Sequence, residues 1–289
     1  MDLREPAYPP GLRDLDDAPG RLYGVGDRGA VADLDPRSAV TIVGARRATA
    51  YGRRVAEELA AALAAAGVTV VSGMAFGIDS AAHRGALEAE GTTVAVLAGG
   101  PDVAYPPSAS GLHRRILACG GASVSEAPPG QRPARWQFPA RNRLMAALSK
   151  VTVVVEAARR SGSRHTCDAA LGLQRTVAAV PGEIHSRVSA GPHELLRDGA
   201  LLVRDAQDVL DELLGVGALS VRSTGLPIEP ELRSVLELVE RGTATADELA
   251  AEAGLGAREA AVGLAQLELA GYLRADASGR LARTSLQPP

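Results

Sequence analysis

Thr41 to Asp79 reads TIVGARRATAYGRRVAEELAAALAAAGVTVVSGMAFGID. It opens inside the apolar run Ala39-Val40-Thr41-Ile42-Val43, of the kind that forms a buried parallel strand. Gly44 ends that run, and a polar turn, Ala45-Arg46-Arg47-Ala48-Thr49, follows. Residues 52–66 are rich in Ala, Leu and Glu, and Val55, Leu59 and Leu63 recur at the spacing of one helix face. Gly67 stands where such a helix would stop. A second strand, Val68-Thr69-Val70-Val71, runs into Ser72-Gly73-Met74-Ala75-Phe76-Gly77-Ile78-Asp79. The stretch predicts one βαβ unit with a glycine-containing turn after each strand.

In an open parallel sheet such turns lie at the carboxyl ends of the strands, where ligands bind. Glycine allows close backbone approach, and the free N–H groups of a helix start attract anions. Arg46 and Arg47 add two permanent positive charges to the first turn. Glycine after a strand also serves plain tight packing, so this unit alone leaves phosphate binding and packing both open.

The same alternation continues along the chain. Strands are expected at 93–97, 122–125, 151–155, 176–180 and 201–203, and helices at 80–89, 108–118, 141–148, 165–174, 192–197 and 206–214. Residues 127–136 hold too many prolines for regular structure. This rhythm predicts an α/β fold with a Rossmann-like, doubly wound, mostly parallel sheet over residues 39–215. Residues 1–38 form an irregular lead-in packing on that domain, in which Leu22 and Tyr23 are candidates for a short edge strand. Residues 216–227 are expected to be a linker. From 228 to 289 three helical stretches (230–241, 245–253 and 257–271) precede two short β runs around Asp276-Ala277-Ser278-Gly279, the pattern of a winged helix. Thr245-Ala246-Asp247-Glu248 offers a capping box to the second of these helices.

At 289 residues the chain has material for two domains, and its net charge of −3 confines any nucleic-acid surface to a local patch. Lys150 is the only lysine, so arginine carries the positive charge. Two cysteines and five scattered histidines give neither a disulfide framework nor metal-ligand spacing, and no cofactor is expected. Leu59 to Ile78 lacks charge but is broken by Gly67, Ser72, Gly73 and Gly77, so no membrane association is expected. With no signal peptide in view, the expected location is cytoplasmic.

One basic stretch carries aromatic rings: RPARWQFPARNRLMAALSK, residues 132–150, with no acidic residue. Arg132, Arg135, Arg141, Arg143 and Lys150 suit a phosphate backbone, while Trp136 and Phe138 suit stacking on splayed bases, the mixture that binds single-stranded nucleic acid. Ser161-Gly162-Ser163 then repeats the small, hydroxyl-rich turn after the most β-prone run in the chain, with Arg159, Arg160 and Arg164 beside it.

Together these residues resemble the bacterial DNA-processing protein A family (DprA, also called Smf). The resemblance rests on Gly44-Ala45-Arg46, Ser72 to Asp79 with His83, Tyr105-Pro106, Ser125-Glu126, Phe138-Pro139-Ala140-Arg141-Asn142-Arg143, Val155-Glu156, Ser161-Gly162-Ser163 and Val180-Pro181-Gly182. It implies a domain that binds single-stranded DNA in a basic pocket, forms a homodimer and helps load the RecA recombinase during natural transformation. By matching position the pocket would use Arg46 and the turn at Gly73, with Arg135, Phe138, Arg141, Asn142, Arg143, Ser161, Gly162 and Ser163. Arg164, Cys167 and His193 depart from the usual pattern. Many relatives begin with a small helical domain that nothing before Tyr8 resembles, so a short member or a piece of a longer protein is expected.

Two other function classes compete. A nucleotide-monophosphate N-glycoside hydrolase of related fold would want a Pro-Gly-Gly-x-Gly-Thr turn, which Gly99-Gly100-Pro101 does not supply. Ser72, Asp79 and His83 invite a hydrolase reading, but Asp79 reads better as a helix N-cap, and no enzymatic activity is expected. A winged-helix reader of duplex DNA is opposed by charge: residues 228–289 carry six arginines against ten acids.

Overall fold

The computed structural model describes all residues except 33, 220–227, 244, 276–278 and 285–289. Most of the expected linker and the turn of the C-terminal hairpin therefore lie outside the described residues. The chain divides into two units, Met1–Ser220 and Val221–Pro289.

The first unit is a mostly parallel sheet with helices on its faces. In chain order its elements are β1 (Tyr23–Gly26), β2 (Ala39–Val43), α1 (Ala50–Ala65), β3 (Thr69–Ser72), α2 (Ile78–Glu88), β4 (Thr93–Val96), α3 (Ser110–Ala118), β5 (Ala122–Ser125), α4 (Gln137–Leu148), β6 (Val151–Val154), α5 (Arg164–Gly172), β7 (Thr176–Ala179), α6 (Ala190–Arg197), β8 (Leu201–Leu202) and α7 (Ala206–Leu214). The strand order is β1-β5-β4-β3-β2-β6-β7-β8. From β2 the chain winds outward through β3, β4 and β5, then crosses back to lay β6 against the other side of β2. The topological switch point therefore falls between β2 and β6, where open α/β sheets place their ligands.

Burial explains the strands. Every residue of β2, β3, β4, β5 and β6 is buried, as expected of strands covered on both faces. The edge strand expected around Tyr23 exists: β1 pairs antiparallel with β5 and alternates half-buried with exposed residues. The lead-in is anchored by Tyr8 and Leu12, both fully buried, with the Tyr8 hydroxyl donating to the Pro19 carbonyl at 2.9 Å. Arg175 ties it down further, donating to the Ala146, Ala147 and Ser149 carbonyls at the end of α4, to Gly11 O, and to Asp14.

Several helices differ from expectation at their starts. The buried face of α1 is Gly52, Ala56, Leu59, Ala60, Leu63 and Ala64, with Val55 at its margin. α1 and α2 pack so closely that a Cβ on Gly85 would strike the Glu57 backbone. α4 begins at Gln137 and not at Arg141, because Pro139 lies in the first helical turn, where a missing N–H costs no bond. Asp79 is not the N-cap of α2: that position is Gly77, at φ +78°, and Asp79 lies inside the first turn.

The second unit holds α8 (Pro230–Glu240), α9 (Ala246–Ala253), α10 (Ala257–Leu269), β9 (Leu273–Ala275) and β10 (Leu281–Arg283), the last two paired antiparallel. This is a winged helix. Its core includes Val235, Leu236, Leu249, Leu264, Leu267 and Tyr272. Thr245 and Glu248 form the expected capping box. No helix among the described residues is long and apolar enough to cross a membrane.

Candidate nucleic-acid interface

Three strand-to-helix turns meet at the switch point because β3, β2 and β6 are neighbours in the sheet. Hydrogen bonds lock the turns together. The Ala45 N–H donates to Glu156 O at 2.6 Å, and the Ile78 N–H donates to Ala45 O at 3.3 Å. A Cβ on Gly77 would collide with the Ala45 and Arg46 carbonyls, so glycine is needed there for space as well as for its positive φ.

Glu156 fixes the arginine-bearing turn. Its buried carboxylate accepts the Thr49 N–H at 2.9 Å and the Thr49 hydroxyl at 2.5 Å, while Thr49 Oγ1 caps α1 by accepting the Gly52 N–H at 3.0 Å. Gly52 leaves room for that carboxylate. Glu156 is thus committed to holding the loop of Arg46 and Arg47.

Between the turns lies a pocket of about 400 Å³. One wall is a stripe on α4: Phe138, Arg141, Asn142 and Met145, the i, i+3, i+4, i+7 spacing of one helix face. The opposite walls come from Gly44 and Arg46 after β2, and from Ser161, Gly162, Ser163 and Thr166 at the start of α5. The Arg46 guanidinium lies over the Phe138 ring, 5.4 Å from its centroid, and the Tyr105 ring is tilted against Phe138 with centroids 5.3 Å apart. Asn142 Nδ2 donates to Gly162 O at 3.1 Å, joining α4 to the serine turn. Ser163 Oγ donates to Ser161 Oγ at 3.0 Å, and the buried Thr166 Oγ1 has no hydrogen-bond partner.

Arg141 and Asp79 form the charged floor. Arg141 is buried, donates to Val96 O, and packs its guanidinium where a side chain on Gly73 would stand. Burial lowers its pKa to about 10, an effect opposed by Asp79, so the group stays cationic at neutral pH. Burial likewise raises the Asp79 pKa, against the pull of Arg141. The Asp79 carboxylate accepts the Ala75 N–H at 3.3 Å, bracing the second turn.

The pocket thus gathers seven of the expected site residues: Arg46, Phe138, Arg141, Asn142, Ser161, Gly162 and Ser163. Gly73 stands behind Arg141 as the space for its guanidinium. Arg47 and Arg135 are exposed but form no part of the lining. Arg143 is not in this lining. It lies off the pocket-facing stripe of α4 and is held by Asp17 at 2.7 Å and Glu126 at 2.8 Å, hydrogen bonds that push its pKa up. Tyr105, Asp79, His165 and Thr166 border the site without having been singled out for it. The Tyr105-Pro106 motif was the one sequence signal for the first of these.

The hydrolase reading of Ser72, Asp79 and His83 finds no geometry to support it. Ser72 Oγ donates to Ile42 O at 2.6 Å, and His83 Nδ1 pairs with Thr93 Oγ1 at 2.7 Å, both buried. In the winged helix, Arg283 pairs with Glu240 at 2.8 Å and stacks on Tyr272, so this wing arginine is used within the module.

Residues 1–214 match the family model described as DNA recombination-mediator protein A, and residues 222–279 match the DprA winged helix domain. A putative DNA processing protein DprA of Mycobacterium tuberculosis is 50% identical over 245 residues, covering 83% of this chain and 62% of that protein. The chain therefore spans less than two thirds of that relative's length. Protein Smf of Escherichia coli is 37% identical, over 94% of this chain and 74% of its own. The X-ray structure of DNA processing protein A from Streptococcus pneumoniae superposes with a TM-score of 0.67 at 38% identity, over 73% of each chain. That of Helicobacter pylori, reported for its single-stranded DNA binding mode, gives 0.64 at 32% identity, over 74% of this chain and 95% of its own.

Proposed function

Because the chain belongs to the DNA recombination-mediator protein A family, also called DprA or Smf, we propose that it binds single-stranded DNA at the β2/β6 switch point. In this reading it shields incoming DNA in natural transformation and recombination and presents it to the RecA recombinase. It acts in the cytoplasm as a homodimer and catalyses no reaction.

The observation that carries the reading is the Arg46–Phe138–Tyr105 cluster over a pocket floored by Arg141 and closed by the Ser161–Ser163 turn. Arg46 makes no salt bridge among the described residues and feels Asp79 only at longer range, so its guanidinium is available to a phosphate. A half-buried Phe138, with the Arg46 guanidinium and the tilted Tyr105 ring beside it, makes an aromatic cluster on which one base can stack. Hydroxyls and N–H groups at the start of α5 suit a second phosphate. Stacking on Phe138 requires a base that is not paired in a duplex.

Competition between single-stranded and duplex DNA of one length tests the proposal. Single strands should displace a labelled oligo-dT far better than duplex. Equal competition would defeat it.

A further inference from the structure

A second cavity of about 440 Å³ opens at the carboxyl ends of β4 and β5, beside the first. Its lining includes Leu97, Ser125, Gln131, Trp136 and Gln137, and Arg141 borders both cavities. Trp136 is the only tryptophan of the chain and is 71% exposed. An indole carries one of the largest apolar surfaces a side chain can bury, so leaving it in water forgoes that stabilisation. Among the described residues no other ring and no cation stacks on it.

We propose that this cavity is a second nucleobase subsite for the same DNA strand, with Trp136 as its stacking platform. The inference rests on the function proposed above and extends it to a site outside the switch-point pocket. Trp136 and Phe138 are two residues apart at the start of α4, so their Cα atoms are separated by at most about 7 Å. Successive bases of one strand can therefore reach both rings, with Arg141 in the wall between.

Charge around the cavity is compatible with a polyanion despite two acids on its rim. Asp17 and Glu126 are both held by Arg143, at 2.7 and 2.8 Å, which offsets one of their two charges. Arg132 and Arg135, next to Trp136 in the chain, are exposed and have no acidic partner among the described residues. They are the cations for the phosphate beyond the stacked base, and this gives Arg135 a role outside the first pocket. Gln131 and Gln137 also line the cavity, although the Gln137 amide oxygen already accepts the Ala134 N–H at 2.7 Å. Base stacking needs no particular sequence, so the subsite adds affinity without selectivity.

The sole tryptophan makes the test direct. The full chain is titrated with oligo-dT lengthened one nucleotide at a time, reading intrinsic indole emission and the anisotropy of a labelled strand together. We expect the shortest strands that bind to leave the indole emission unchanged and longer ones to quench it. Trp136→Ala should weaken longer strands roughly 5- to 150-fold, the equivalent of about 1–3 kcal/mol for one base stack, and leave the shortest unaffected. Trp136→Phe should retain most of that affinity. Binding with no quenching at any length, or normal binding by Trp136→Ala at every length, overturns the subsite and leaves the switch-point pocket standing. Failure of the wild-type chain to bind any strand overturns both.

Discussion

At the scale of single residues, Arg46 and Phe138 should act differently and not independently. Arg46→Ala removes a phosphate contact and should flatten the dependence of log affinity on log salt by about 0.7. Phe138→Ala should leave that slope alone and cost about 1–3 kcal/mol, one base stack. Because the guanidinium lies 5.4 Å from the ring centroid, the double variant should lose less than the sum of the singles by about 0.5–1 kcal/mol. Anisotropy titrations of the four proteins measure this; strict additivity would mean the two groups do not share a base. A second residue reports through stability. His83 is fully buried, and burial holds its pKa down at about 3, from 6.5. Between those values the unfolded chain binds the proton and the folded one does not, so stability is present above pH 6.5 and is lost as pH falls. The loss should reach about 3 kcal/mol by pH 4, at about 1.4 kcal/mol per unit, and His83→Gln should lack that part of the slope in urea unfolding. Parallel pH profiles for the two proteins would show that His83 is not buried as a neutral ring. At this scale the sequence was legible unevenly. Arg46 and Phe138 were apparent from type and neighbours. The ion pairs of Arg143 were not, since the acids lie 126 and 17 residues away, and only the fold brings them together.

At the scale of elements, the critical joint is between the end of β6 and the start of α1. Glu156 satisfies the Thr49 N–H and hydroxyl while Thr49 caps α1. Glu156→Ala should cost about 1–3 kcal/mol of stability through the unsatisfied donors it leaves. It should also weaken oligo-dT binding, because the freed loop carries Arg46. Urea denaturation and anisotropy on the same variant test the two halves; full affinity in the destabilised protein would show that the loop needs no bracing. Strands were the easiest elements to read, since a run such as Val151-Thr152-Val153-Val154-Val155 has no polar alternation and no breaker. The start of α4 was hidden by Pro133 and Pro139, which suggest irregular chain. With the helix begun at Arg141, the stripe of Phe138, Arg141, Asn142 and Met145 could not be seen as one face. α2 was misplaced for a related reason: Asp79 has the chemistry of a cap, but Gly77 supplies the positive φ.

At the scale of the molecule, the two units carry different charge. The winged helix has six arginines against ten acids, and α10, the helix in the position of a reader, holds Arg258 against Glu259 and Glu268. A chain ended at Gly215 should keep most of its affinity for oligo-dT, and residues 228–289 alone should not bind duplex at micromolar concentration. Anisotropy at moderate salt on both pieces decides it, and duplex binding by the small piece would refute the prediction. The doubly wound sheet and the winged helix were legible from the alternation of elements and its abrupt end. The joining of two cavities by Arg141 was not, because it depends on where the sheet turns back. That turning back also orders events on the ribosome. β2 emerges early and finds β3 within thirty residues, but its other edge waits for β6, more than a hundred residues later. The pocket between them has no far wall until α5 has been made. A nascent chain therefore exposes Arg46 and its turn long before the pocket around them can close, and a finished pocket marks that synthesis has passed the middle of the protein.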